Sequence, residues 1–132
     1  MFYTSCQYMC PLIVDSGKAV EHGLTQAERA KLGIMLISMD PKRDRPAALM
    51  GIATKRKLDP RWSLASPRAN DVRAVAGVLG VRYRQLANGD FNHTSALVLL
   101  DRDGRIVART EQVGSVPDPA FIAEVRRSVA AP

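Results

Sequence analysis

Cysteine is nearly absent from this 132-residue chain, which holds only Cys6 and Cys10. So few thiols exclude the disulfide scaffold of a small secreted protein, and a bridge between these two would close only a tiny loop. Chemistry is therefore a better reason for them than stapling. Histidine is equally scarce, with His22 and His93 alone. One Trp, three Tyr and three Phe leave no aromatic platform on which bases could stack. No apolar run approaches the length of a membrane span, and no charged-then-apolar leader precedes a small-residue cleavage site. Repeats, low-complexity tracts and linkers are missing too, which leaves a single domain over residues 1–132.

What is present suits a globular protein with its own core: 46% hydrophobic and 24% charged residues. A net charge of +6 raises nucleic acid as a partner, but the basic residues are scattered and the longest cluster is Lys55-Arg56-Lys57. The charge reads as a soluble, Arg-rich surface with no nucleic-acid role. Lys42, Arg43 and Arg45 read as a solvated basic loop, one that could also dock an acidic partner. Met1-Phe2-Tyr3-Thr4 reads as the tail of a buried strand, so the first strands and any anchor are expected upstream of Met1.

Strand and helix patterns alternate along the chain. Pro11 suits the first position of a helix, and Ile13, Gly17, Val20 and Leu24 then recur on one face. Thr25 with Glu28 makes a capping box. Ile34-Met35-Leu36-Ile37 is a continuous apolar run, as in a buried strand of a parallel sheet, and it ends at Asp40-Pro41. Pro46 to Lys57 has helical composition, and "RWSLAS" predicts a short strand. Asn70 or Asp71 is expected to cap a helix with Val72, Val75, Ala76 and Leu79 inward, closed by Gly80. Val81 to Leu86 leads to an Asn88-Gly89 turn, and residues 96–100 give the strongest strand. Asp103-Gly104 turns that strand back into Ile106-Val107-Ala108. A last helix is predicted from about Pro119 to Val129, with Phe121, Ile122 and Val125 inward. The order predicts an α/β fold, a thioredoxin-like sandwich whose central mixed sheet is flanked by helices and lacks its first strands.

With Cys10 at the mouth of the helix that Pro11 begins, one turn of backbone brings Cys6 back within disulfide reach, roughly 5–6 Å between Cα atoms. The helix N-terminus favours thiolate over thiol. Thiolates select Cu(I), Zn or Fe–S, and two of them leave a metal short of ligands. From spacing alone the pair reads as a metal site, a redox dithiol or ordinary buried thiols. His22, near the end of the first helix, needs no function. His93 stands in "NGDFNHTSALVLL", expected to be a loop that faces the cysteine turn across the end of the sheet. Asp40 reads as a turn-former before Pro41, and Trp62 and the tyrosines as core and cleft lining.

In order and spacing, "YTSCQYMCP", "ISMDPKRDRP", "RWSLAS", "VRYR" and "NHTSALVLLDRDGRIV" resemble the Sco/SenC family of copper-delivery proteins over essentially the whole chain. The resemblance implies that Cys6, Cys10 and His93 hold one copper ion, Cu(I) or Cu(II). It implies a metallochaperone delivering copper to cytochrome c oxidase during its assembly, with the oxidase's copper-acceptor subunit or another copper chaperone as partner. It also implies the periplasmic face of the bacterial inner membrane, reached through an N-terminal anchor. Arg45 departs from the family's frequent threonine. The alternative is a thiol-disulfide oxidoreductase in which Cys6 and Cys10 act on the acceptor's cysteines. A thioredoxin-like reductase would carry Cys-x-x-Cys and a proline before the late strand, whereas Asn92-His93-Thr94-Ser95 holds none. A thiol peroxidase would use the Thr4-x-Cys6 pattern but gives His93 no role.

Overall fold

Apolar residues at helical or alternating spacing become helices and strands close to where the sequence places them. In order these are α1 (Met9–His22), α2 (Gln26–Arg29), β1 (Ile34–Ile37), α3 (Pro46–Lys55) and β2 (Trp62–Ala65). A 3-10 turn (Ala69–Asp71), α4 (Val72–Val78), β3 (Tyr83–Gln85), β4 (Phe91–His93), β5 (Leu97–Leu100), β6 (Ile106–Thr110) and α5 (Pro119–Ala130) follow. The computed structural model describes residues 1–6 and 9–132, with the side chains of Met9 and Cys10 outside that description. The chain divides into two compact units, Met1–Cys10 with Gly33–Thr94 and Pro11–Leu32 with Ser95–Pro132. Among the described residues no helix is long and apolar enough to cross a membrane.

In the first unit β1 and β2 pair in parallel, from Ile34 opposite Trp62 to Ile37 opposite Ala65. Phe2 makes a parallel bridge to Ser38, its N–H donating to Ile37 O at 2.9 Å and its carbonyl accepting from Met39 N at 2.8 Å. Phe2, Leu36 and Met39 are buried there. The apolar run of β1 is not buried on both faces as expected: Met35 is 61% exposed. Successive side chains in a strand point to opposite faces, and only the Leu36 face is covered.

Two further expectations are corrected in this unit. Asp71 does not cap α4; it already has helical backbone, φ −96° and ψ −13°, with no side-chain cap bond, because the 3-10 turn runs straight into the helix. His93 lies not in a loop but on β4, opposite Tyr83 in an antiparallel pair with β3. Three residues are too few to show an alternating pattern, and the turn that makes the hairpin is Asn88-Gly89, with Gly89 at φ +88° where a side chain would be strained.

One buried carboxylate holds much of this unit together. Asp44 is fully buried, and it accepts hydrogen bonds from Thr4 N at 2.9 Å, from the Thr4 hydroxyl and from the Ser38 hydroxyl at 2.6 Å. The Ser38 hydroxyl accepts in turn from Asp40 N at 2.9 Å. Arg43 pairs with Asp40 and donates to the Gly89 carbonyl at 2.5 Å, tying the loop after β1 to the β3–β4 turn.

α1 begins at Met9, two residues earlier than expected, and belongs to the second unit from Pro11 on; Pro11 thus lies inside the first turn, where its missing N–H still costs nothing. The expected face is buried, and Val20 and Leu24 pack with Leu99 of β5 and with Phe121, Ile122, Val125 and Val129 of α5. Each such side chain contributes about 1.5–3 kcal/mol through burial. The capping box at α2 is present, with Thr25 N donating to Glu28 at 2.7 Å and Glu28 N to Thr25 at 3.2 Å. β5 and β6 form the expected hairpin, with an irregularity between Leu99 and Leu100 and with β6 reaching Thr110. Pro119 opens α5 behind the N-cap Asp118, which accepts from Ala120 N at 3.0 Å and from the Thr110 hydroxyl at 2.8 Å. The Ser16 hydroxyl donates to Leu12 O at 2.8 Å and accepts from Gly114 N at 2.6 Å, fixing the segment after β6 to α1.

Two predictions follow from these polar nodes. Asp44→Ala strands the buried Ser38 donor and the partly buried Thr4 donors, and should cost roughly 3 kcal/mol in urea unfolding. Ser38→Ala, which removes one donor to Asp44 and the acceptor of Asp40 N, should cost less, about 1–2 kcal/mol; equal, small losses for both would show that Asp44 is not the node. The Thr110 hydrogen bond, with those from Ala120 and Phe121, holds Asp118 below its ordinary value of 3.8 against a smaller effect of desolvation. A carboxylate lowered on folding stabilises above its unfolded value and loses that contribution as pH falls through its folded value. Asp118→Asn keeps a capping side chain but drops the charge, so the loss of stability below about pH 4 should shrink in the variant. Identical acid profiles would remove this role.

Candidate metal centre

The cysteine turn begins with backbone geometry. Tyr3, Thr4, Ser5 and Cys6 form a turn closed by Cys6 N–H donating to Tyr3 O at 3.2 Å. Asp44 grips its second residue by both the amide and the hydroxyl of Thr4. Cys6 is half-buried at the end of this turn. Cys10 lies in the first turn of α1, where the helix leaves N–H groups without intrahelical acceptors. Its side chain, the second expected ligand, lies outside the described residues, as do Gln7 and Tyr8.

His93 ends β4, half-buried. Its Nδ1 stands 2.9 Å from the Thr94 carbonyl. A carbonyl can only accept, so Nδ1 carries the proton and the lone pair is on Nε2, the arrangement in which an imidazole binds a metal through Nε2. The strand end is itself pinned, with Thr94 N donating to Arg82 O at 2.9 Å and Arg82 N to the Thr94 hydroxyl at 3.0 Å.

Tyr3 joins the two parts. Its hydroxyl donates to Phe91 O at 3.3 Å and accepts from Phe91 N at 3.3 Å, so one phenol satisfies both main-chain groups of a β4 residue. Its ring meets that of His93 edge-on, with centroids 5.9 Å apart and planes at 75°, and that of Phe91 at 5.1 Å. Burial pushes the phenol above its ordinary value of 10.0; the Phe91 bond pulls the other way, and the neighbouring Cys6 side chain raises it further. Cys6 and His93 are thus both neighbours of the same neutral tyrosine.

The remaining candidates fall outside this cluster. His22 is exposed in the last turn of α1. Asp40 forms the turn after β1, accepting from Arg43 N at 3.2 Å and Asp44 N at 2.8 Å through its carbonyl. Arg43 is held by Asp40, whereas Lys42 and Arg45 are exposed. Trp62 is buried. Among the described residues, which leave out the side chain of Cys10, no group of three or more His, Cys, Asp or Glu is placed to hold a metal ion. Ser38 and Asp44 carried no signal in the sequence, and Tyr3, expected with the other tyrosines in core or cleft lining, is buried but also bonds to β4. Asp44 stands in "PKRDRP", whose composition signals solvent, and no local pattern around Tyr3 points to its partners on β4.

Comparison with known proteins places this geometry. No curated protein sequence matches the chain significantly. ScoI of Bradyrhizobium japonicum, solved with copper bound, is 25% identical with a TM-score of 0.75, covering 96% of this chain and 80% of that one. A SCO1/SenC family lipoprotein from Bacillus anthracis is 21% identical with a TM-score of 0.80, covering 96% and 77%. ScoI of Arabidopsis thaliana, also solved with copper bound, is 17% identical with a TM-score of 0.75, covering 97% and 79%. The α/β, thioredoxin-like fold expected from the order of elements is therefore the fold this chain adopts. A family model described as SCO1/SenC matches residues 1–130, and the chain belongs to the SCO1/SenC family.

Proposed function

We propose that this protein is a copper carrier that delivers its ion to cytochrome c oxidase during assembly, holding it with Cys6, Cys10 and His93. The observation that carries the reading is the Thr94 carbonyl at His93 Nδ1, which leaves Nε2 as the donor atom on a residue that shares Tyr3 with Cys6. Copper-bound ScoI of Bradyrhizobium japonicum supports the choice of metal. Two thiolates and one imidazole make a soft donor set that suits Cu(I).

Copper is cargo here, so the site must release what it binds. Tyr3 and Asp44 keep the cysteine turn and β4 in place before the ion arrives, which lowers the cost of ordering ligands on binding. Loading requires both thiols to lose their protons, so uptake strengthens with pH. Thiolates of an acceptor, the oxidase's copper-acceptor subunit or another copper chaperone, replace the carrier's ligands by exchange. Oxidation of Cys6 and Cys10 to a disulfide takes both sulfurs from the metal and makes the redox state a gate. We place its action at the periplasmic face of the bacterial inner membrane; the Bacillus anthracis lipoprotein of the same fold supports the membrane attachment in this reading.

The reduced protein should take up one copper ion per chain in a titration followed by absorption and native mass spectrometry. A stoichiometry near zero for the folded, reduced chain would remove the copper reading. His93→Ala should weaken copper binding by at least the 10–100-fold typical of losing a supporting group around a metal, while Cys6 and Cys10 still form and break their disulfide. Copper binding equal to that of the parent, together with full-rate reduction of an acceptor disulfide, would favour the oxidoreductase instead.

A further inference from the structure

We propose that the groove between α3 and β2 is a docking site for an acidic, apolar peptide segment of a partner protein. The cavity has a volume of about 860 Å³, within the size range of sites that enclose ligands. One wall is a stripe of α3: Pro46, Leu49, Met50 and Ala53 recur at helical spacing. The other is one face of β2 and its continuation, where Trp62, Leu64 and Ser66 alternate. Leu49 and Trp62 form a buried apolar floor, while Met50, 69% exposed, stands at the edge. An exposed, flexible thioether adapts to different apolar side chains.

The rim is basic. Lys42, Arg45 and Arg68 line the opening and are exposed, and among the described residues no carboxylate pairs with any of them. Asp44 also borders the groove and its charge lowers the positive potential there, but its side chain is buried and bonded to Thr4 and Ser38, and three exposed cations stand against this one carboxylate, so the rim stays basic. Charge complementarity therefore selects carboxylates around an apolar body. Ser66 adds a discriminating feature: its hydroxyl oxygen is buried with no hydrogen-bond partner among the described residues. The half-exposed serine can turn this hydroxyl into the groove by rotation about χ1, and there a peptide amide satisfies it where a hydrocarbon tail does not. This favours a peptide over a lipid. The site goes beyond the copper reading, since it uses none of Cys6, Cys10 and His93. An occupant would nonetheless lie against the loop whose Asp44 holds the cysteine turn.

The test uses the full chain, reduced and metal-free, with isotope labelling and a synthetic peptide, acetyl-Glu-Leu-Asp-Phe-Glu-Leu-amide, as probe. Resonance shifts should concentrate on Leu49, Met50, Trp62 and Ser66, and binding should weaken as salt is added. The Arg45→Glu, Arg68→Glu double variant should lose about tenfold or more in affinity, equivalent to about 1.4 kcal/mol. Lys42→Glu serves as a second variant should the double one fail to fold. A peptide with Lys in place of its acidic residues should not bind. Absence of shifts, shifts elsewhere, or affinity unchanged by charge reversal would overturn the proposal. So would binding of phosphatidylglycerol vesicles in place of the peptide, or self-association abolished by Arg45→Glu, which would assign the groove to a lipid surface or to a second copy.

Discussion

A carboxylate cut off from water must find its donors in the protein, and Asp44 finds them at two residues, Thr4 and Ser38, in segments that the first unit needs to keep together. Thr4 is two residues before Cys6, Ser38 follows β1, and Asp44 itself belongs to the loop that leads into α3. Satisfying one buried acid thus sets the start of the cysteine turn against the end of a strand. The requirement is directional, because a hydrogen bond weakens steeply with misalignment. Apolar packing of Phe2, Leu36 and Met39 could hold the same segments near one another, but it would not fix the angle at which the turn leaves them.

The loop that contains Asp44 faces two ways. Through Asp44 it reaches the cysteine turn, and through Arg43 it reaches the Gly89 carbonyl and so the hairpin that carries His93. A sequence of alternating charges, "DPKRDRP", thereby does structural work with two acids and one arginine and leaves Lys42 and Arg45 for the surface. The division explains how one short segment can serve both the proposed metal site and the proposed docking groove: its inward and outward residues are different ones.

Legibility in the sequence followed the physics of each element. The faces of α1 and α5 were readable because Val20, Leu24, Phe121, Ile122 and Val125 repeat at helical spacing and bury on one side. The capping box at Thr25 and the β5–β6 hairpin were readable because they depend on local chemistry alone. β4 was not, since three residues carry no period, and Asp71 failed as a cap because a 3-10 turn had already started the helix. At the site, Cys6 and His93 stood out through rarity, whereas Asp44 and Tyr3 act through partners about 40 and 88 positions away, a distance at which composition is silent. The α/β order of elements pointed to the right fold, while the buried polar nodes that align it had to be seen in place.

The hydrogen bonds of Tyr3 to Phe91 are asymmetric. Both end on main-chain atoms of residue 91, while at the other end they depend on a single phenolic oxygen. Replacing Phe91 by another side chain leaves the amide and carbonyl where they were, but nothing other than a hydroxyl at the reach of tyrosine restores the contact from the other side. A fixed distance between the cysteine turn and the hairpin therefore demands a tyrosine at position 3, whereas residue 91 supplies only its main chain to these bonds and a ring that packs on Tyr3.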